Sequence, residues 1–361
     1  MKKLMAITLA LMLALAAFAV PAMAEELIPA KVGMLTILNS TEEESEGLLR
    51  ACAIAISRLI ANDQIEHVLD QSEGPLTQDY SVVFYDTLDA MLMALNAGDI
   101  NAIYIYRTAA EYLCANNDQL AMLLAFDQAA DTDIEAIEVY KNLVTSEFSF
   151  MLLEGREELR DALNDAIDAV SEDGTLNRLV AEQIDAAIAG NDIAPVEMPV
   201  IDGAETVKVA VTGALPPMDY IAADGMPAGF NTALLAEISN RIGKNIELVV
   251  VDSVGRASAL ASGTVDVVFW TRASRWANAL ASLTEAEKEA EINRMVEGNP
   301  EAEVEVLHLL ASLFPPETQS IMDIPEGTII TSPYYSDMIL PVSTKAFMEI
   351  ANAQYRQNAE G

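Results

Sequence analysis

The side chains best suited to hold a charged or aromatic group follow an apolar run in the second half of the chain. The segment VDVVFWTR places Trp270, Thr271 and Arg272 at the carboxyl end of a predicted strand. Ligands of open α/β sheets bind beyond the carboxyl ends of the strands, and arginine forms paired hydrogen bonds to carboxylates. We therefore expect these three residues to line a binding site. A core position for Trp270 and a surface cation at Arg272 remain alternative interpretations.

A second candidate site lies at a helix start in the first half. The strand AKVGMLTILN ends at Asn39, Ser40 and Thr41, which precede three glutamates. A hydroxyl residue followed by acids is typical of the first turn of a helix. Backbone N–H groups and hydroxyls at a helix N-terminus suit an anionic group. An ordinary helix cap explains Ser40 and Thr41 equally well.

The residue types needed for catalysis are scarce or uninformative in this chain. It has only two histidines, His67 and His308, and neither has a spacing typical of a zinc site or a catalytic triad. The sequence contains neither a phosphate-binding loop nor a dinucleotide fingerprint. Carboxylates are so frequent that no pair of them indicates glycosidase chemistry. We expect that the protein is not an enzyme and that it has neither a cofactor nor a metal site.

Composition and charge narrow the class of protein and its partners. The chain has 361 residues, of which 52% are hydrophobic, and a formal net charge of −36. These values predict folded units with packed cores rather than general disorder. So negative a chain repels nucleic acid and anionic membrane surfaces. We expect no nucleic-acid partner and a monomer.

The N-terminal residues have the pattern of a secretory signal. Lys2 and Lys3 precede an apolar run that Pro21 ends, and Ala22-Met23-Ala24 fits a cleavage site. We predict that residues 1–24 are a signal peptide, and that the protein is exported to the periplasm or the extracellular space. The cleavage region holds no cysteine for a lipid anchor. Cys52 and Cys114 are candidates for a disulfide or for two buried thiols.

Changes in composition divide the rest of the chain into two units. Apolar strands alternate with amphipathic helices in both, which predicts α/β sheets. Gly98 and Gly174 are expected to end two of the helices. The predicted boundaries are 25–140 for the first unit, 141–190 for a strand and closing helices, 191–204 for a linker, 205–345 for the second unit, 277–315 for a charged helical insertion within it, and 346–361 for a flexible tail.

Four segments of the second unit resemble a known family. They read LPPMDY at 215–220, GFN at 229–231, SGTVD at 262–266 and TSPY at 331–334. They resemble the first lobe of family 3 extracellular solute-binding proteins. The resemblance implies the type II periplasmic binding protein fold, in which two α/β lobes, each a mixed sheet flanked by helices, enclose a cleft.

The resemblance also implies roles for individual residues. Asp219 and Tyr220 would stand at the cleft rim, where the family's aromatic side chains stack on the ligand. Asn231 would cap the following helix. An arginine of the family clamps the ligand carboxylate, and the spacing here leaves Arg272 or Arg275 as its owner. Tyr106 stands where amino-acid binders have an aspartate for the ligand ammonium, which counts against a simple α-amino acid.

The first unit is similar to the second lobe of the same family. The segment FYDTLDAMLMALNAGDINAIYIY resembles that lobe, and residues 148–179 resemble its return strand and closing helices. The lobes would therefore stand in permuted order, with two separately folded degenerate copies as the alternative. The implied function is a solute-binding protein for an ABC-type membrane transporter. Its ligand would be a small polar solute, either amino-acid-like or anionic.

Two other functions remain open at this point. A sensor or interaction protein with a degenerate cleft would explain the replaced aromatics Leu215 and Met218 and the displaced arginine. A dehydratase-like enzyme of the same fold ranks last. The expected cleft residues from the two units are Tyr220, Trp270, Thr271, Arg272, Asp219, Asn39, Thr41 and Tyr106.

Overall fold

A mixed ten-stranded sheet with helices, accompanied by a three-stranded sheet, forms the framework of the protein. The computed structural model describes residues 31–35, 81–122, 145–222, 224–252, 255–272 and 327–347. The predicted α/β class is confirmed. The predicted signal segment, the helical insertion, Cys52 and both histidines lie outside the described residues.

Parallel strands form the sheet of the first unit. Its elements are β1 (Lys31–Leu35), β2 (Ser81–Tyr85), α1 (Leu88–Ala97), β3 (Ala102–Tyr106), α2 (Arg107–Asn116) and β4 (Leu120–Met122). The strand β1 lies between β2 and β3. Thr87 Oγ1 accepts a hydrogen bond from the N–H of Ala90 at 3.2 Å, which caps α1. Gly98, with φ of 78°, ends that helix as predicted.

Parallel strands also form the sheet of the second unit. Its elements are β6 (Thr206–Val211), β7 (Ala214–Leu215), β8 (Asp219–Ile221), β9 (Pro227–Ala228), α6 (Phe230–Ile242), β10 (Asn245–Val250), α7 (Arg256–Ala261) and β11 (Val267–Arg272). The strand β6 lies between β10 and β11. Its residues Val209, Ala210 and Val211 are all buried, which is typical of a parallel strand covered on both faces.

Residues 145–188 join the two units. The strand β5 (Thr145–Leu153) pairs antiparallel with β11. It leads into α3 (Glu157–Glu172), α4 (Thr175–Leu179), a π-helical turn (Val180–Asp185) and α5 (Ala186–Ile188). The π-helical turn interrupts the closing helices that the sequence predicted within 141–190. The helix α3 packs against α6 of the second unit, whereas α5 packs against α2 of the first.

One long strand crosses from one unit to the other. Residues Tyr335 to Met338 of β13 (Tyr335–Thr344) pair with β5, and the next residues, Ile339 to Val342, pair with β3. The short strand β12 (Thr328–Ile330) pairs with β5. The two units therefore share a continuous sheet, with order β10-β6-β11-β5-β13-β3-β1-β2.

Candidate functional site

A small recess lies where the two units meet. Its cavity volume is about 20 Å³, room for about one water molecule. The first unit contributes Tyr106, the last residue of β3, and β5 contributes Phe148. The remaining lining residues come from the second unit: Ala210, Thr212, Leu215, Asp219, Asn231, Arg256 and Phe269.

Asp219 is a buried carboxylate held by the loop after β6. Its Oδ2 accepts hydrogen bonds from the N–H of Thr212 at 3.0 Å, the Thr212 hydroxyl at 2.9 Å and the N–H of Gly213 at 2.9 Å. Burial raises the pKa of Asp219, against the opposing effect of these hydrogen bonds and of Arg256. The three donors fix the orientation of the carboxylate. No residue that the structure describes donates a hydrogen bond to the other carboxylate oxygen, Oδ1.

Arg256 brings a cation to the same recess. It is the first residue of α7, and only 1% of its surface is exposed. Its Nη1 donates to the carbonyl oxygen of Phe269 at 2.9 Å. Burial lowers the pKa of Arg256 to about 10, and the nearby Tyr106 and Asp219 counteract that shift. The guanidinium therefore stays charged at neutral pH, with a carboxylate close enough to stabilise it.

Aromatic rings form one wall of the recess and the core behind it. The Phe148 and Tyr106 ring centroids are 4.8 Å apart, and those of Phe150 and Tyr334 are 5.0 Å apart in a stacked arrangement. The Tyr334 hydroxyl donates to Asn231 Oδ1 at 3.1 Å. Burial raises the pKa of Tyr334 well above its ordinary value. This tyrosine is therefore a fixed, neutral donor that orients Asn231.

The loop that carries Asp219 is held by the start of α6. The N–H groups of Phe230 and Asn231 donate to the carbonyl oxygens of Pro217 at 3.0 Å and Met218 at 2.8 Å. Gly229 occupies the N-cap position with φ of 100°, and a Cβ there would lie 2.7 Å from each of these oxygens. Only glycine fits this approach.

The expectation that Asn231 caps α6 is wrong. Gly229 is the N-cap, and Asn231 is the second residue of the helix. The loop carbonyls of Pro217 and Met218 already satisfy two of the first N–H groups of the helix. The Asn231 side chain is therefore available to accept from Tyr334.

The structure brings together some of the residues expected in the cleft. Asp219 and Tyr106 line the same recess, although they lie in different units. Tyr220 follows Asp219 and is partly exposed, and its pKa is raised first by burial and then by the nearby Tyr112 of α2. Tyr112 thus reaches Tyr220 electrostatically from the other unit.

Other expected cleft residues are described in part or not at all. For Trp270, Thr271 and Arg272 the structure describes the backbone, which forms the end of β11 opposite Ser149, Phe148 and Glu147. Arg272 is the last residue of β11, at the carboxyl end of the strand as predicted. The remaining expected residues, Asn39 and Thr41, lie outside the described residues, as do Ser40 and Arg275.

Sequence reasoning missed Arg256, the most deeply buried charged side chain of the site. One signal was present: an arginine opens the helix RASALA, whose other members are small or apolar. Asn231, Phe148 and Thr212 were also missed, because only the fold brings them to the recess. Among the described residues, no group of three or more histidine, cysteine or acidic side chains is placed to hold a metal ion. None of the described helices combines the length and apolarity needed to cross a bilayer.

Comparison with known proteins gives one family match and several distant structures. Residues 207–289 match the model for bacterial extracellular solute-binding proteins, family 3. No curated protein sequence matches the chain. One similar structure is the ligand-binding component of an ABC-type import system from Staphylococcus aureus with zinc bound. It is 10% identical with a TM-score of 0.36, over 91% of this chain and 69% of that one.

Two further solved structures have similar scores. The periplasmic aliphatic sulphonate-binding protein SsuA from Escherichia coli is 11% identical with a TM-score of 0.33, over 91% of this chain and 69% of that one. The ligand-binding core of GluR0 from Nostoc punctiforme, in complex with L-glutamate, is 10% identical with a TM-score of 0.33, over 92% of this chain and 94% of that one. The family match over 207–289 confirms the resemblance of this segment to family 3 extracellular solute-binding proteins.

Proposed function

We propose that this chain is an exported protein that encloses a small polar solute between its two units. The observation that supports this most is the buried Arg256 beside the buried Asp219, in a recess to which both units contribute side chains. Ionisable side chains with shifted pKa values in a cleft are typical of functional sites. Convergent polar groups in a mainly apolar concavity are typical of small-molecule sites.

The charges of the recess indicate which groups the solute would carry. The guanidinium of Arg256 is planar and suits a carboxylate or a similar anion. All the hydrogen bonds that Asp219 accepts from described residues go to Oδ2, so Oδ1 would face a cationic group of the solute. We therefore propose an amino-acid-like or anionic solute, with the aromatic side chains of Tyr106 and Phe148 against its apolar part.

Binding would require the two units to separate and close again. A cavity of about 20 Å³ is too small for an organic solute. The strand β13 pairs with β5 over Tyr335 to Met338 and with β3 from Ile339 onward, so it is the natural hinge. A solute that contacts both units stabilises the closed arrangement in proportion to those contacts.

An ABC-type transporter is the partner that we propose for the closed form. The family match over 207–289 supports an extracellular or periplasmic solute-binding role. The chain would act as a monomer that presents its closed form to the membrane protein. Trp270, Thr271 and Arg272, with Asn39 and Thr41 of the first unit, remain proposed cleft residues.

A thermal-shift screen tests the proposed function. The panel contains L-amino acids, dicarboxylic acids, sulphonates, polyamines and sugars, each at millimolar concentration. A bound solute raises Tm by mass action. The rise should disappear in Arg256→Met and persist in Arg178→Met, which removes an exposed guanidinium away from the recess. An equal rise in both variants would mean that the solute binds elsewhere.

The second candidate function is a sensor or interaction protein with a degenerate cleft. The small cavity favours it, as does the burial of Leu215 and Met218, which replace aromatics of the family. Met218 is 0% exposed and is not among the residues that line the recess, so it supports the fold rather than facing a solute. Leu215, 3% exposed, puts an aliphatic side chain into the recess wall where the family has an aromatic one. A screen in which no compound of the panel raises Tm would favour this candidate over solute capture.

We also propose that the lobes of the family stand here in permuted order. The antiparallel pairing of β5 with β11 and the passage of β13 into the first unit support this order. A rearranged chain, with residues 205–345 ahead of 31–190, should then fold and melt cooperatively near the original Tm. The control keeps the original order and carries the same joining peptide at 191–204. Folding of the control alone would contradict the permutation.

A further inference from the structure

A buried carboxylate lies where the crossing strand changes partner. Asp337 belongs to the part of β13 that pairs with β5, two residues before the strand begins to pair with β3. It is 7% exposed. The position is remote in sequence from the recess, and neither the family resemblance nor the proposed solute contacts account for it.

Asp337 is bonded to the first turn of α2 in the first unit. Its Oδ2 accepts from the N–H of Thr108 at 3.0 Å and makes a short hydrogen bond with the Thr108 hydroxyl. Its Oδ1 accepts from the N–H of Met338 at 2.8 Å. The hydroxyl of Tyr335 lies 3.3 Å from that of Thr108, which extends the chain of polar groups along β13.

These bonds connect the crossing strand to a residue of the recess. Thr108 is the second residue of α2, and Tyr106 occupies the N-cap position of the same helix. The side chain of Tyr106 makes no capping hydrogen bond. An orphan N–H of this first turn is satisfied instead by Asp337 from β13. The placement of Tyr106 therefore depends on how firmly Asp337 holds the turn.

We propose that Asp337 is a proton-dependent positioning residue, which ties the first turn of α2, and with it Tyr106, to the crossing strand. The inference rests on the proposed function only where it extends to solute affinity. The effect on the contact between the two units concerns the ligand-free chain. There, the protonation of this carboxylate determines how firmly the two units are held together.

Among the residues that the structure describes, no cation lowers the pKa of Asp337. Burial raises its pKa to about 6, against its bonds from Thr108 and Met338, and Glu111 of α2 raises it further. Glu111 is itself paired with Arg107 at 2.7 Å. In the described part of the chain, two further acidic groups lie near the cluster: Asp185 of the closing helices, which acts on Tyr335, and Glu147, which lies opposite Ser336 on β5.

The direction of the effect follows from linkage. Asp337 binds a proton more tightly in the described arrangement than it does when hydrated, where its ordinary pKa is 3.8. The protonated form therefore favours the described arrangement, and ionisation favours an arrangement that hydrates the carboxylate. The ratio of the two arrangements should fall by up to about a hundredfold as pH rises from about 4 to 7.

Hydrogen exchange of the ligand-free full chain tests this directly. The amides of α2 are compared with those of α6 in the second unit, after correction for the intrinsic rate at each pH. In the wild type, protection of α2 relative to α6 should fall by up to about tenfold between about pH 5 and 7.5. Asp337→Asn, whose side chain stays neutral, should show no such step, that is, no fall in the relative protection of α2 over this pH range. Asp89→Asn, at an exposed position in α1, should retain it.

Each outcome decides the question. A step in the wild type that is lost in Asp337→Asn supports the inference. A flat wild-type profile, or a step that survives in Asp337→Asn, overturns it. If that variant does not fold, carboxyl NMR of the wild type replaces it, and titration of Asp337 near pH 4 rather than 6 overturns the inference. A failed solute screen would refute the proposed function alone, because this experiment uses no solute.

Discussion

Replacing Gly229 with alanine tests how the loop that carries Asp219 is held. The backbone at Gly229 has φ of 100°, a conformation that costs a residue with a Cβ about 1–3 kcal/mol. A Cβ would also lie 2.7 Å from the carbonyl oxygens of both Pro217 and Met218. Both oxygens are backbone atoms that accept hydrogen bonds from α6, so neither moves without losing a bond. We expect a loss of about 3 kcal/mol or more in the free energy of unfolding.

Urea denaturation followed by circular dichroism measures this loss, and Gly263→Ala is the matched control. Gly263 also has a positive φ, of 70°, but a Cβ there would have no atom within 4 Å. It should lose only the conformational cost of about 1–2 kcal/mol. Equal losses in the two variants would refute the close approach of Gly229 to Pro217 and Met218 as the reason for glycine.

Three further changes test other contacts of the structure. Tyr334→Phe should lower the free energy of unfolding by about 1–3 kcal/mol in urea, because buried Asn231 Oδ1 loses its donor; an unchanged midpoint would contradict that bond. Leu163→Ala, which opens a cavity under α3, should cost about 2–5 kcal/mol by thermal denaturation, and a loss below 1 kcal/mol would mean that this face is not packed. Hydrogen bonds from Thr175 and Arg241 lower the pKa of Asp173 from 3.8 to about 2. The stability that these bonds contribute is therefore fully present above about pH 3.8 and is lost as the pH falls through about 2. Asp173→Asn should flatten that acid limb in pH-dependent melting, and an unchanged limb would contradict the assignment.

Local signals in the sequence predicted much of the framework. The helix end at Gly98 was predicted because a left-handed residue after an amphipathic run favours glycine. The segment SGTVD at 262–266 leads into β11, and its Asp266 accepts a hydrogen bond through Oδ2 from the N–H of Lys208 on the neighbouring strand. Both features depend on residues close in the sequence or on neighbouring strands of one unit.

The parts that sequence reasoning missed depend on contacts between distant segments. Arg256 has the local pattern of an exposed helix start, and only the packing of α7 behind Phe269 buries it. The passage of β13 from one unit to the other has no local signal, because no glycine or turn separates Met338 from Ile339, where the strand changes partner. The bond between Asp337 and Thr108 joins residues of different units, which no periodicity reveals.

Isothermal titration calorimetry with the panel compound that gives the largest thermal shift tests the central claim most directly. That claim is that Arg256 and Asp219 anchor a solute between the two units. The wild type should bind one molecule per chain, and Arg256→Met should weaken binding about 10- to 100-fold, the loss of a charged hydrogen bond. The affinity of Arg256→Lys should lie between those of the wild type and Arg256→Met, and the affinity of Arg178→Met should match that of the wild type. Unchanged affinity in a folded Arg256→Met protein would contradict the claim.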